Sequence, residues 1–188
     1  MASAQTWLKR ITPQIFESLS LSEQGTLPPF ALEDFQQTLR ESLNLENLSI
    51  SIEKMDFIDG DHFFDHLSNK TISIPLTLHP LDGLCHFVMG SKDVGTLIQN
   101  MQKEEEALSL ENDSMIKGLY TYFITEAIDA IHLLENYLDL SLKITEGTIT
   151  DLSAFAIDIS IKINDHNLPA RLLVTKKLYK AIHAHYKF

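Results

Sequence analysis

A single cysteine, Cys85, occurs in the 188 residues, which excludes a disulfide framework and any cysteine-rich zinc site. No apolar run approaches the roughly 20 residues that a membrane-spanning helix needs. Lys9 and Arg10 follow Trp7 and Leu8 instead of preceding an apolar stretch, so no signal peptide is visible. Positive charge is scarce: 15 Lys and Arg stand against 26 Asp and Glu, a net charge of −11. A surface of that sign repels phosphate backbones and argues against a nucleic-acid-coating role. No Ser-His-Asp order, P-loop or Rossmann glycine pattern occurs either.

What is present is ordinary for a soluble globular chain, with 44% hydrophobic and 22% charged residues. The length suits one domain with an appended element, long enough to bury a sizeable core. An acidic, cytoplasmic protein without direct membrane insertion is expected. The charge is uneven: residues 166–188 hold no acid but carry Arg171, Lys176, Lys177, Lys180 and Lys187. That segment is +5, leaving −16 on residues 1–165. One reading is a C-terminal helix whose basic residues favour the helix dipole. The other is a local contact surface.

Apolar spacing predicts a helix over 3–19, with Trp7, Leu8, Ile11, Ile15 and Leu19 on one side and Pro13 as a kink or early stop. Gly25, Pro28 and Pro29 mark a linker over 20–29. A second helix is expected over 30–43. Strict alternation from Leu48 to Glu53 and from Ile72 to Leu78 predicts half-buried strands, with a polar loop at 59–70 between them. Asp82-Gly83 supplies a hairpin turn into a return strand over 84–89. Ser91 is a plausible N-cap for the helix that carries Val94, Leu97, Ile98 and Met101. After the acidic run Glu104-Glu105-Glu106, a long helix is expected over 113–137. Strands over 138–148, 155–163 and 168–174 follow, with a turn at 164–167 and a final helix over 175–186.

The order helix, strand, hairpin, helix thus occurs twice, and residue spacing supports a duplication. Residues 44–52 match 136–144 at a constant offset. Ile72, Ile74, Leu76 and Leu78 match Phe155, Ile157, Ile159 and Ile161. With the second hairpin one residue longer, Leu84 meets Leu168 and Ser91 meets Thr175. Val94, Leu97 and Ile98 then meet Leu178, Ala181 and Ile182. The expected fold class is therefore α/β (α+β): a pseudo-two-fold, duplicated αβββα unit with an extra N-terminal helix. Its half-repeats span about 30–103 and 113–188, preceded by a helix and linker over 1–29.

This pattern resembles the CheC/FliM/SctQ superfamily, and within it the N-terminal domain of SctQ, the C-ring or sorting-platform protein of type III secretion systems. The resemblance rests on Ile74-Pro75-Leu76-Thr77-Leu78-His79-Pro80-Leu81-Asp82-Gly83, on Val88-Met89-Gly90-Ser91 with the helix to Met101, and on Lys117-Gly118-Leu119-Tyr120 through Glu126. It covers about residues 30–188 and implies a FliM-middle-domain-like fold. SctQ proteins normally continue into two small β-rich SPOA domains; these are absent here, which implies a truncated or naturally short form. The resemblance implies a non-enzymatic scaffold, cytoplasmic and peripheral to the inner membrane. Its implied partners are SctK, SctL with its ATPase, an SctD-like ring protein and chaperone–effector complexes. A small acidic type III secretion chaperone is the alternative, although such chaperones are shorter, dimeric and not duplicated. A CheC-like response-regulator phosphatase is the third reading.

CheC-type phosphatases place an acid and an asparagine three apart on a helix. Glu41-Ser42-Leu43-Asn44 has that spacing, but Gln37 departs from the family's Asp or Ser, and the downstream proline is missing. The duplicate, Glu126-Ala127-Ile128-Asp129, replaces the amide with an acid. The adjacent glycines of the flagellar switch protein are absent, and no response-regulator docking peptide precedes Pro28. Asp59, Asp61, His62, Asp65 and His66 form the densest ligand-like cluster, and His62 and His66 would share a face if the loop were helical. A polar loop with Phe63 and Phe64 tucked into the domain is the simpler expectation. His183 and His185 read as solvent-facing, and Cys85 as a buried small hydrophobe. No catalytic residue, metal or cofactor is expected. The candidate partner-binding residues are Trp7, Phe16, Lys176, Lys177 and Lys180.

Overall fold

The computed structural model describes residues 32–68, 70–101, 113–130 and 141–186. The expected helix at 3–19 with Trp7 and Phe16, the linker, the acidic run at 104–106 and the end of the long helix lie outside the described residues. Helix α1 (Leu32–Leu43) leads into β1 (Leu48–Asp59), β2 (Thr71–His79), β3 (Leu84–Gly90) and α2 (Ser91–Met101). The same order follows as α3 (Asp113–Ala130), β4 (Ser141–Ile144), β5 (Ser153–Ile163), β6 (His166–Thr175) and α4 (Lys176–Tyr186).

All six strands form one antiparallel sheet, in the order β1-β5-β6-β3-β2-β4. Exchanging the two halves reverses this order and returns the same sheet, which is the signature of a pseudo-dyad at the central β3–β6 pair. The first strand of each half pairs with the hairpin of the other: β1 with β5, and β4 with β2. Register agrees residue by residue. Ile50 opposes Ile161 and Ile52 opposes Ile159, while the counterparts Leu142 and Ile144 oppose Leu78 and Leu76.

One expected equivalence is corrected. Phe87 opposes Leu172 at the centre of the sheet, so the counterpart of Cys85 is Ala170, and that of Ser91 is Lys176. Leu84 does not match Leu168, and the second hairpin is two residues longer, not one. The reason is the pleat: an offset that changes parity would carry helix-facing side chains to the opposite face. Both following helices start on the corrected offset and run 11 residues.

Alternation divides the sheet into two faces. Ile74, Leu76, Met89, Phe155, Ile157 and Ile161 face the helices and pack with Leu39, Leu97, Ile98, Tyr120, Phe123, Leu178 and Ile182. The opposite face carries a smaller cluster of Phe63, Val88, Ala154, Ala156 and Leu173, covered by residues from the 60–67 loop and from 145–152. Three strand bounds also differ from expectation. β1 runs on to Asp59 past a bulge at Glu53. β4 stops at Ile144, where Gly147, with φ +153°, passes so close to Leu84 that a Cβ would lie 2.7 Å from its Cδ1. β6 starts at His166, because Asn164, with φ +53°, closes a two-residue turn between the paired Ile163 and His166.

Candidate interaction surface

Helix α4 presents the lysines singled out by sequence, and its seat on the sheet is firmly built. Leu178, Tyr179 and Ile182 are buried in the helix-facing core. Thr175 caps its start: the hydroxyl accepts from Leu178 N–H at 3.4 Å and from Leu84 N–H at 3.2 Å, and donates to Leu84 O at 2.7 Å. Gly83, with φ +110°, brings the β2–β3 hairpin against the same turn, where a Cβ would lie 2.4 Å from Leu178 N. Only glycine meets both demands.

Lys176, Lys177 and Lys180 are exposed on this helix. Spacings of three and four residues place Lys180 beside the other two on one surface. The first turn holds no acidic residue. The expectation that these charges favour the helix dipole is therefore reversed: Lys176 and Lys177 sit in the first turn, at its positive end, where a cation is unfavourable. Asp151 offers partial relief, its Oδ2 accepting Lys176 N–H at 3.1 Å. The next residue, Leu152, is 89% exposed. Nothing in the pattern Asp151-Leu152-Ser153 distinguishes it from a buried strand start, so sequence reasoning missed it.

Arg171 is not part of this surface. It is 5% exposed; its Nε donates to Asp158 Oδ1 at 2.6 Å, and Nη1 donates to the carbonyls of His62 at 2.7 Å and Phe63 at 3.0 Å. The guanidinium thus ties the 60–67 loop to the face away from the helices. A groove of about 360 Å³ beside it is lined by Glu53, Asp65, His66, Asp158, Lys162 and Arg171 among others, a mixture of both signs.

The loop cluster does not assemble as a ligand set. Gly60–His62 is a single 3₁₀ turn, His66 has φ +66°, and His62 Nδ1 lies 2.7 Å from Asp65 Oδ2. Among the described residues no group of three or more candidate metal ligands occurs. Phe63 is buried, but Phe64 is 45% exposed, so only one of the two phenylalanines is tucked in. His185 is exposed.

The acid–amide pair is likewise dispersed. α1 ends at Leu43, and Asn44 adopts φ +55°. Leu45 N–H reaches Arg40 O at 2.9 Å and Asn44 N–H reaches Glu41 O at 3.3 Å, the pattern of a Schellman cap. Asn44 therefore terminates the helix instead of sharing a helical face with Glu41, whose carboxylate accepts from Gln37 Nε2 at 2.7 Å. In the second half, Glu126 and Asp129 both lie on α3, the former half-buried and the latter exposed.

Two buried groups on β3 complete the inventory. Burial pushes the Cys85 thiol up to about 12, which leaves it protonated and unreactive. His86 is the counterpart of Arg171 in the first half. Its Nδ1 lies 3.3 Å from Ser73 Oγ, and its Nε2 is buried without a hydrogen-bond partner. Burial lowers its pKa, opposed in part by the charge of Asp151.

No protein-family model matches the sequence, and no curated protein matches it significantly. Solved structures do. The FliM middle domain from H. pylori is similar with a TM-score of 0.69 at 9% identity, over 98% of this chain and 99% of that one. A chain of the FliG–FliM complex from H. pylori gives 0.66 at 9%, over 81% and 91%. Thermotoga maritima FliY gives 0.63 at 13%, over 93% and 96%. At such identities the likeness is one of architecture, and the chain has the mixed α/β fold of the FliM middle domain.

Proposed function

We propose that this chain is a non-enzymatic adaptor of a bacterial type III secretion system, an SctQ-like component of the cytoplasmic sorting platform that acts by binding other proteins. The observation that carries the reading is the FliM-middle-domain fold, joined to a surface of charge and exposed apolar side chain in place of a reacting cluster. In the Glu41–Asn44 pair, the arrangement that fitted phosphatase chemistry, the asparagine is spent on a helix cap. Neighbouring solved structures include a FliG–FliM complex and a FliM–SpeE complex, and a fold that serves protein contacts there suits the same use here.

In this reading residues 30–188 form the duplicated domain, residues 1–29 carry a helix and linker, and Trp7, Phe16, Lys176, Lys177 and Lys180 contact partners. The partners are SctK, SctL with its ATPase and an SctD-like ring protein, met at the cytoplasmic side of the inner membrane. No helix among the described residues is long and apolar enough to cross a membrane, which accords with a peripheral place. Affinity purification of the tagged chain from its native cell tests the assignment. Retention of SctK or SctL homologues is the expected result. A tight homodimer holding an extended effector segment would instead establish a chaperone. Dephosphorylation of a phosphorylated response regulator, abolished by Glu41→Ala, would establish an enzyme.

A further inference from the structure

We propose that Leu152 and the lysines of α4 form one docking surface for an acidic segment of a partner protein that carries an apolar side chain. The inference rests on the chain being a binding protein, and is independent of the machine it serves.

An exposed leucine is by itself unremarkable on a protein surface. Leu152 differs in how it is held. Its carbonyl accepts Gly60 N–H at 2.8 Å, and a Cβ on Gly60 would approach that oxygen to 3.3 Å. Ser153 enters the sheet opposite Asp59. On the other side, Asp151 is bonded to Lys176 N–H at 3.1 Å. The backbone that carries Leu152 is thus held next to the start of α4, and the side chain projects from it at 89% exposure.

Beside it, three lysines occupy the first two turns of α4 with no acid in the first turn, and two of them, Lys176 and Lys177, stand against the local dipole. The arrangement costs stability within the chain, and an external carboxylate relieves it. An acidic segment supplies those carboxylates, and an apolar side chain within it covers Leu152. A second copy of the chain is the weaker occupant, because two bodies of net charge −11 repel as they approach. A short acidic segment adds little charge beyond the patch.

The test uses the full chain and two fluorescent peptides of equal charge, one of repeated Glu-Glu-Leu and one of repeated Glu-Glu-Ser. Anisotropy at low salt is expected to show the leucine peptide binding about tenfold tighter. Leu152→Ser should lower its affinity about tenfold and leave the serine peptide unchanged. Reversing Lys176, Lys177 and Lys180 to Glu should abolish binding while raising the thermal midpoint, since acids suit the helix start; that combination separates lost contact from lost fold. The proposal is overturned by equal binding of the two peptides, by indifference to Leu152→Ser, or by no saturable binding up to about 1 mM. Sedimentation showing a dimer that Leu152→Ser dissolves would overturn it in favour of a second copy. Peptide binding without SctK or SctL in the purification would leave this surface standing and remove the secretion assignment.

Discussion

Arg171 and Asp158 face each other across β6 and β5, with the guanidinium Nε 2.6 Å from the carboxylate Oδ1. The arginine side chain is 7% exposed and the aspartate 28%, so the pair is largely withdrawn from water. Asp158→Ala leaves the guanidinium without its anion and should destabilise the fold by about 3 kcal/mol. Arg171→Met combined with Asp158→Ala should cost less than the sum of the single changes. Urea unfolding of the three variants measures this. Additive losses would show that the two side chains act independently.

Gly83→Ala should be among the most damaging single-methyl additions in the chain. Backbone conformation and space both oppose it, at φ +110° and 2.4 Å from Leu178 N. A loss of about 2–3 kcal/mol is expected, read as a lowered urea midpoint. A midpoint within error of the wild type would mean that the hairpin does not press on α4.

His86 predicts acid sensitivity. Burial lowers the pKa of the imidazole in the folded chain, while the unfolded chain protonates near its ordinary value of about 6.5. With the folded pKa the lower of the two, the unfolded state binds more protons as pH falls through that value, and stability declines from there down to the folded pKa. Thermal midpoints of wild type and His86→Leu, compared at about pH 7.5 and about pH 5.5, isolate this contribution from other titrating groups. The variant should lose less on acidification. An equal loss in both proteins assigns the acid sensitivity elsewhere.

Cys85 is a ready probe of global opening, since it is the single cysteine of the sequence and is buried with a thiol pushed up to about 12. Labelling by a thiol reagent at mildly alkaline pH should be slow in native buffer and complete quickly in denaturant. Rapid labelling of the native protein would contradict the packing of β3 between β2 and β6.

Asn44→Gly should be close to neutral, because both residues accept φ +55°, whereas Asn44→Val should cost about 1 kcal/mol or more. Circular dichroism during thermal melts distinguishes the two. A marked loss with glycine would assign Asn44 a role beyond the cap.

The parts of this fold that sequence made legible are those governed by a two-residue period. Ile50 and Ile52 matched their counterparts at Leu142 and Ile144 because the same alternation puts each pair in register with the other half's hairpin, opposite Ile161 and Ile159 and opposite Leu78 and Leu76. The β3–β6 match slipped because Leu84, Leu168 and their neighbours are apolar on both faces of a central strand, which removes the period that would set parity. Arg171 reads as one more positive charge near the end of the chain. Its burial becomes visible only when Asp158 arrives on the adjacent strand and the 60–67 loop offers its carbonyls. The lysines of α4 were legible as a charge pattern, but their unfavourable place depends on the helix starting at Lys176, a matter of one residue. Leu152 had no sequence signature at all, since exposure of a lone apolar residue in a connection is decided by the neighbours that hold its backbone.

Because β1 closes onto β5 and β4 onto β2, neither half contains a finished sheet of its own. Two identical copies of one αβββα half, joined by nothing, would build the same six strands in the same order around a true two-fold axis. The molecule therefore has the architecture of a homodimer fused into one chain. Fusion frees its two faces to diverge: His86 and Arg171 occupy equivalent places with different chemistry, and Lys176 and Lys180 of the last helix stand where the first half has Ser91 and Gly95. A symmetric ancestor would have offered every surface twice, whereas this chain can present a given contact once and so fix an orientation within an assembly.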